Sequence, residues 1–298
     1  MRRYLAITAL AAASACAQTI DSPTAGYLYN KSTAAIHPIT GIPGAATLGH
    51  SVLAGVESAS FSPASDSAVV TKSGAIFLVT AVHSRRPKLE PLADSGTALT
   101  AWGRNTAIIY TNSTFRLLTA QGDLETLAIG LPAEATINAI DYDETAQRLY
   151  IASTAGVHAF SITEGTLTKL FSAANPTSLA RVAKTIYALE ANTITTENGP
   201  LSLTLDPETK LTAIAASSDG THLYLADAGK NQILQTDLQG TITATIPSPA
   251  SPEKLERQGN LLVLNTNQPF YLLTDTATPA IFFIPSLTTE SKQKREGR

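Results

Sequence analysis

Apolar residues along this chain fall in short runs, each bounded by Gly, Pro, Asn, Asp or Ser. Runs of that kind predict β-strands joined by turns. After residue 17 no long stretch keeps apolar positions at the 3.6-residue spacing that an amphipathic helix needs. The pattern predicts an all-β chain.

Comparison of the chain with itself adds a period. Residues 59–79, 140–160 and 214–234 read alike: a short strand, a polar turn, an apolar strand, a glycine-containing turn and another strand. Weaker copies have strands at 106–110, 185–189 and 261–264. One marker in each second strand gives Val70, Tyr110, Tyr150, Tyr187, Tyr224 and Val263, with steps of 40, 40, 37, 37 and 39. About 41 residues before Val70 stands Tyr29, which makes seven units. A step near 40 with four short strands per unit is the pattern of propeller blades, whose faces are buried only against their neighbours, so the ring must close. The expectation is a seven-bladed β-propeller of four-stranded blades over residues 18–286. Six blades plus an N-terminal appendage is the alternative, because the first unit shows clear strands only at 27–29 and 35–39, with a third around 50–53.

The clearest unit contains Ser218-Asp219-Gly220-Thr221-His222-Leu223-Tyr224-Leu225-Ala226-Asp227, then Ala228-Gly229-Lys230-Asn231-Gln232-Ile233. It resembles the YVTN and NHL propeller repeats. The resemblance implies that Gly229 turns the chain and that Ile233 starts the next inner strand; Gln232 stands where NHL repeats usually carry arginine. It covers about 20 residues and speaks to architecture, since such propellers serve unrelated activities.

The two ends change the picture. Arg2 and Arg3, an apolar run over 4–13 and the small-x-small group Ala15-Cys16-Ala17 read as a signal peptide of residues 1–17. The run is shorter than the ~20 residues needed to span a bilayer. Export to a periplasm or beyond the cell is expected, with lipid anchoring through Cys16 the less favoured alternative. Cleavage removes the sole cysteine, so a core rather than disulfides must stabilise the domain. Residues 287–298 hold four basic and two acidic side chains and read as a polar, disordered tail. The body is acidic, which disfavours nucleic acid as a partner. A monomer is expected, with no transmembrane segment once the leader is removed.

Candidate chemical groups are sparse along the chain. His37, His50, His83, His158 and His222 show no metal-ligand spacing. Gly49-His50-Ser51 begins like a nucleophile elbow, but Leu53 stands where the second glycine belongs. Asp66, Asp141, Asp143, Asp219, Asp227, Asp237 and Asp275 are single aspartates suited to turns; a ring could also gather some of them at its channel around a divalent ion such as calcium. Residues 41–49, rich in glycine, depart from the repeat and read as a special loop or a spacer between the first two units. Trp102 is the only tryptophan, so aromatic platforms for sugars are not supported, and Tyr110, Tyr150, Tyr187 and Tyr224 recur at blade spacing as packing positions. Asn30-Lys31-Ser32 and Asn112-Ser113-Thr114 are glycosylation sequons. The expected function is an exported, non-catalytic binding or scaffold propeller presenting rim loops to a protein or small ligand, with no assigned catalytic, cofactor or metal residues. The alternative is a metal-dependent, lactonase-like hydrolase or lyase with its site in the central channel.

Overall fold

The computed structural model describes residues 24–285 apart from 85, 94, 97, 120 and 121. The expected leader, 1–17, and the expected tail, 287–298, lie outside the described residues. All regular structure among them is β, in seven antiparallel four-stranded sheets that follow one another along the chain. In blades 2 to 7 the strands are laid side by side in chain order.

Seven apolar clusters show how the sheets are joined. Each contains residues of two consecutive blades, and the last, with Leu28, Ile39 and Leu48 against Leu261, Val263, Phe270 and Ile284, joins blade 7 to blade 1. The ring is therefore closed. The alternating faces of each second strand supply both neighbours. In His222–Asp227, Leu223 and Leu225 face blade 5 while Tyr224 and Ala226 face blade 7. Full burial stabilises by about 1.5–3 kcal/mol per large aliphatic side chain, which is why a blade without neighbours would not hold.

The recurring tyrosines are packing residues, as their spacing predicts. Tyr29, Tyr110, Tyr150, Tyr187, Tyr224 and Val263 all turn toward the following blade. Val70 is the exception: it faces blade 1, while its neighbour Val69 faces blade 3. The equivalent position is thus Val69, 40 residues after Tyr29 and 41 before Tyr110. A period-2 strand punishes a one-residue misalignment by reversing the face.

Blade 1 departs from the plan. Thr24–Asn30 pairs with Ala35–Thr40, and both short strands Thr47–Leu48 and Leu53–Ala54 pair with the other edge of Ala35–Thr40. They form one broken outer position, so among the described residues this blade has no innermost strand. In its place the Gln258 side chain of blade 7 bonds both backbone polar groups of Tyr27. Gly26 permits that approach, since a Cβ there would lie 2.6 Å from Gln258 Oε1. The glycine-rich residues 41–49 run within blade 1 instead of between units, and Gly44 lies against the Phe282 ring of blade 7.

Candidate functional site

Six innermost strands wall the central channel: Ser58–Phe61, Leu99–Trp102, Ile137–Asp143, Ser178–Val182, Leu211–Ala216 and Glu256–Gln258. Each contributes alternate side chains to the lumen. Two cavities meet at Ser60, Thr100, Ile140, Leu255 and Glu256 and open to opposite mouths. The mouth where these strands end holds about 430 Å³ and carries Trp102, Asp141, Arg181, Ser217 and Arg257. The mouth where they begin holds about 490 Å³ and carries Asn138, Thr177, Ser178, Thr212 and Lys254.

Polar side chains at the first mouth reach back to the preceding blade. Trp102 Nε1 donates to Ser60 Oγ at 3.1 Å, a separation of 42 residues. Arg181 donates from Nε to Asp141 Oδ2 at 2.9 Å and from Nη1 to Asp143 Oδ2 at 3.0 Å. Arg257 donates from Nη1 to Asp275 Oδ2 at 2.7 Å and from Nη2 to the carbonyl of Ala216, 41 residues earlier. Glu144 of blade 4 accepts from the Arg104 N–H at 2.5 Å and from Thr106 Oγ1 at 2.9 Å in blade 3. Arg257–Asp275 lies within blade 7, and about one repeat separates each of the other pairs, so the cross-blade clasp is part of the repeat geometry.

Asp275 joins several partners at this mouth. It also accepts from the Ser218 N–H at 2.6 Å and from the Tyr224 hydroxyl at 3.1 Å, and His222 Nε2 lies 3.0 Å from that hydroxyl. Burial, the largest influence, would raise the Asp275 pKa; the Arg257 guanidinium and the Ser218 N–H outweigh it and hold the carboxyl below the usual range. Burial, with Asp275 adding to it, drives the Tyr224 phenol well above the ordinary tyrosine value.

At the opposite mouth, Asn138 Nδ2 donates to Asn175 Oδ1 at 2.9 Å and Thr212 Oγ1 to the Pro252 carbonyl at 3.0 Å. Between the mouths, Lys254 Nζ bonds Glu256 Oε2, while Glu256 Oε1 is buried with no hydrogen-bond partner among the described residues. The channel wall therefore offers hydroxyl, indole and paired charged groups around small cavities.

Comparison with known proteins agrees on architecture and goes no further. No protein-family model matches the chain, and no curated protein matches it. Among solved structures it is similar to Sqt1 of Saccharomyces cerevisiae, with 15% identity and a TM-score of 0.57 over 89% of this chain and 86% of that one. It is also similar to the β-propeller domain of Cps50 (Swd1) from Myceliophteria thermophila, with 11% identity and a TM-score of 0.57 over 88% and 98%. A third is PorZ, described as a bacterial surface component of the type-IX secretion system of Porphyromonas gingivalis; it has 13% identity and a TM-score of 0.50, covering 77% of this chain and 38% of that one. At such identities the likeness shows the propeller fold alone.

The remaining residues singled out in the sequence are dispersed. His37 Nδ1 lies 2.9 Å from the Gly49 carbonyl, His50 and Ser51 are exposed after a two-residue strand, and His83 is exposed in a turn. Buried His158 sits in Gly156–Ser161, where burial, then Lys169, pushes its pKa down. Asp66 accepts from Ser62 Oγ, and Asp237 caps a turn by accepting from the Thr241 N–H. Asp219 accepts from Ser217 Oγ and from the Thr221 hydroxyl, which with the Thr221 N–H bring its pKa to about 2. Asp227 gathers the N–H groups of Lys210, Gly229 and Lys230 and the Gln232 side chain. The repeat-like motif of blade 6 thus forms its own turns, but Ile233 lies in Gln232–Asp237, the third strand of the blade, and not in an inner strand. Gly229 serves close approach, since a Cβ there would lie 2.0 Å from the Glu208 carbonyl oxygen. Residues 41–49 do not line either channel cavity. The Asn30 side chain is buried and accepts from Ser32 Oγ, while exposed Asn112 occupies a two-residue hairpin turn with Ser113 at φ of 49° and 60°.

Arg181, Arg257, Glu256, Ser60 and Gln258 were not singled out from the sequence. The available signal was complementarity one repeat apart: Arg181 stands 40 residues after Asp141, and Trp102 stands 42 after Ser60.

Proposed function

We propose that this protein is an exported, non-catalytic propeller that binds a small polar ligand at the channel mouth bearing Trp102, Arg181 and Arg257. The observation that carries this reading is the set of clasps: each of these side chains is held by the preceding blade, so the mouth is a preorganised polar surface around about 430 Å³. That volume falls in the range of small-molecule sites, and preorganised walls lose little entropy on binding. Arg181 and Arg257 keep donors that their carboxylates do not fill, and Trp102 supplies an apolar face. Export rests on the basic start, the apolar run and the small residues before Gln18.

The sole tryptophan stands at the proposed site, so its fluorescence reports occupancy. A panel of small organic acids, amino acids and sugars titrated against the purified chain should include compounds that shift Trp102 emission saturably. Arg257→Met should weaken them. Saturable binding of a protein at the rim with no small-molecule response would replace this reading by the scaffold one. A stoichiometric divalent ion, with melting lowered by chelation and turnover of lactones or esters, would replace it by the hydrolase.

A further inference from the structure

The described residues leave only two large apolar side chains exposed, Ile42 at 65% and Phe283 at 53%. Ile42 stands in blade 1, beside the closure of the ring, and Phe283 stands on blade 7, on the face that Ile281 and Tyr271 share toward blade 6. Phe283 belongs to the outer strand of blade 7, Ile281–Ile284, and a Cβ at Gly44, two residues from Ile42, would lie 3.3 Å from the Phe282 ring of that strand.

This edge differs from those of the other blades. The outer strands Lys88–Ala93, Leu124–Leu127, Thr166–Phe171, Gly199–Pro200 and Ile242–Pro247 carry lysine, glutamate, threonine or proline, and that of blade 1 is broken. Such features discourage strand addition. Ile281–Ile284 reads Ile-Phe-Phe-Ile, without a polar or charged side chain. Its backbone register shows what remains open. Thr274 N–H donates to the Ala280 carbonyl at 2.9 Å, so the Leu272/Phe282 and Phe270/Ile284 pairs exchange the ladder bonds. Ile281 and Phe283 therefore point their N–H and C=O groups outward, and these have no partner among the described residues. The next outward group, the Pro285 carbonyl, already accepts from the Leu48 N–H of blade 1. Pro279 and Pro285 bracket the open stretch and limit it to this strand.

We infer that this edge pairs with the same edge of a second copy of this chain, antiparallel about a two-fold axis at Phe282. The edge is self-complementary in that register and no other centred on the outward groups. Ile281 stands opposite Phe283 of the second copy and exchanges both backbone bonds with it, and the symmetric pair repeats this, so all four open N–H and C=O pairs close. The side chains of Ile281 and Phe283 share a face, which buries each exposed Phe283 against the second copy's Ile281. Phe282 meets its own copy at a non-hydrogen-bonded position, where Cα atoms approach to about 4.5 Å. No charge on the strand opposes the approach, and the flanking prolines stop the pairing at a closed dimer.

The test is sedimentation of the full chain from low micromolar to about 300 µM, spanning the affinities that a small interface gives. A concentration-dependent dimer is expected. Phe283→Lys should weaken it roughly 10- to 100-fold, the value of one buried aromatic side chain, with melting temperature unchanged. In a chain carrying Cys16→Ala, Phe282→Cys should form a disulfide-linked dimer on mild oxidation, and Phe283→Cys far less. A chain that stays monomeric throughout, or a dimer untouched by Phe283→Lys, or equal cross-linking at 282 and 283, overturns the inference. These readouts are independent of Trp102 emission, so the two proposals fail separately.

Discussion

The side-chain amide of Gln258 donates to the Tyr27 carbonyl at 2.6 Å and accepts from the Tyr27 N–H at 2.9 Å, across 231 residues of chain. One side chain thereby does for blade 1 what a neighbouring strand does elsewhere. Both carboxamide groups are used, and Gln258 is buried. Gln258→Ala should lower stability by about 2–4 kcal/mol, since it leaves a donor and an acceptor unpaired. Gln258→Glu should be nearly as damaging, because a carboxylate cannot donate to the carbonyl. Urea unfolding of the two variants checks this; a loss below 0.5 kcal/mol in both, about the noise of a surface change, would show that the edge needs no cap.

Arg181 bridges two carboxylates of the preceding blade that stand two residues apart. Its partners are partly exposed, so the net worth is moderate. Arg181→Met should cost about 1–2 kcal/mol, and Asp143→Asn in that background should cost less than it does alone. Additive losses in a double-mutant cycle would mean that the pair does not couple.

Asp275 serves Arg257, Ser218 and Tyr224 together. Asp275→Ala strands three donors in a mostly buried setting and should cost about 3 kcal/mol or more. Its folded pKa lies below the ordinary 3.8, so its contribution is complete above that value and is lost as pH falls through the folded pKa. A stability profile from pH 5 downward should therefore be shallower in Asp275→Asn than in the parent. Parallel profiles would remove Asp275 as a source of acid sensitivity.

His158 acts in a different window. Burial, then Lys169, lowers its folded pKa below the ordinary 6.5, so the unfolded chain binds the extra proton first. Stability should be flat above pH 6.5 and should fall as pH drops below it. His158→Leu should flatten that slope in urea titrations between pH 7 and 5. An unchanged slope would place the sensitivity elsewhere.

Gly229→Ala tests the glycine of the repeat-like motif. The new methyl would meet the Glu208 carbonyl oxygen, which is backbone and cannot step aside. A loss of about 3 kcal/mol or more is expected, with Gly130→Ala mild because nothing lies within 4 Å of its Cβ position. Equal losses would show that the contact with Glu208 is not what the glycine avoids.

The ring was legible in the sequence because the step between blades is a step between like packing positions, and Tyr150, Tyr187 and Tyr224 repeat for that reason. Val69 and Val70 were not separable, since both are valine and only the neighbouring blade tells the faces apart. The channel mouth was mostly illegible: a salt bridge such as Arg181 to Asp141 is defined by which side chains cross a gap. Gln258 left no signal at all, because nothing along the chain marks a glutamine that replaces a strand. The motif around Ser218 to Asp227 was conspicuous for the opposite reason, since most of its bonds are local turns, and only those to Asp275 cross to another blade.

The clasps between blades carry a consequence for how the chain reaches this state. Bonds such as Trp102 to Ser60, Asn138 to Asn175 and Ile214 to Ser178 span 42, 37 and 36 residues, whereas Gln258 to Tyr27 spans 231. Six of the seven interfaces can thus assemble as soon as one further blade is available, like a zipper advancing from either end. The seventh must await nearly the whole polypeptide, and its loop-closure entropy exceeds that of a single-repeat contact by about 1.5 kcal/mol at 25 °C. A partly zipped arc, with blades 1 and 7 both exposing an apolar face, is the species from which the molecule either closes on itself or finds another copy.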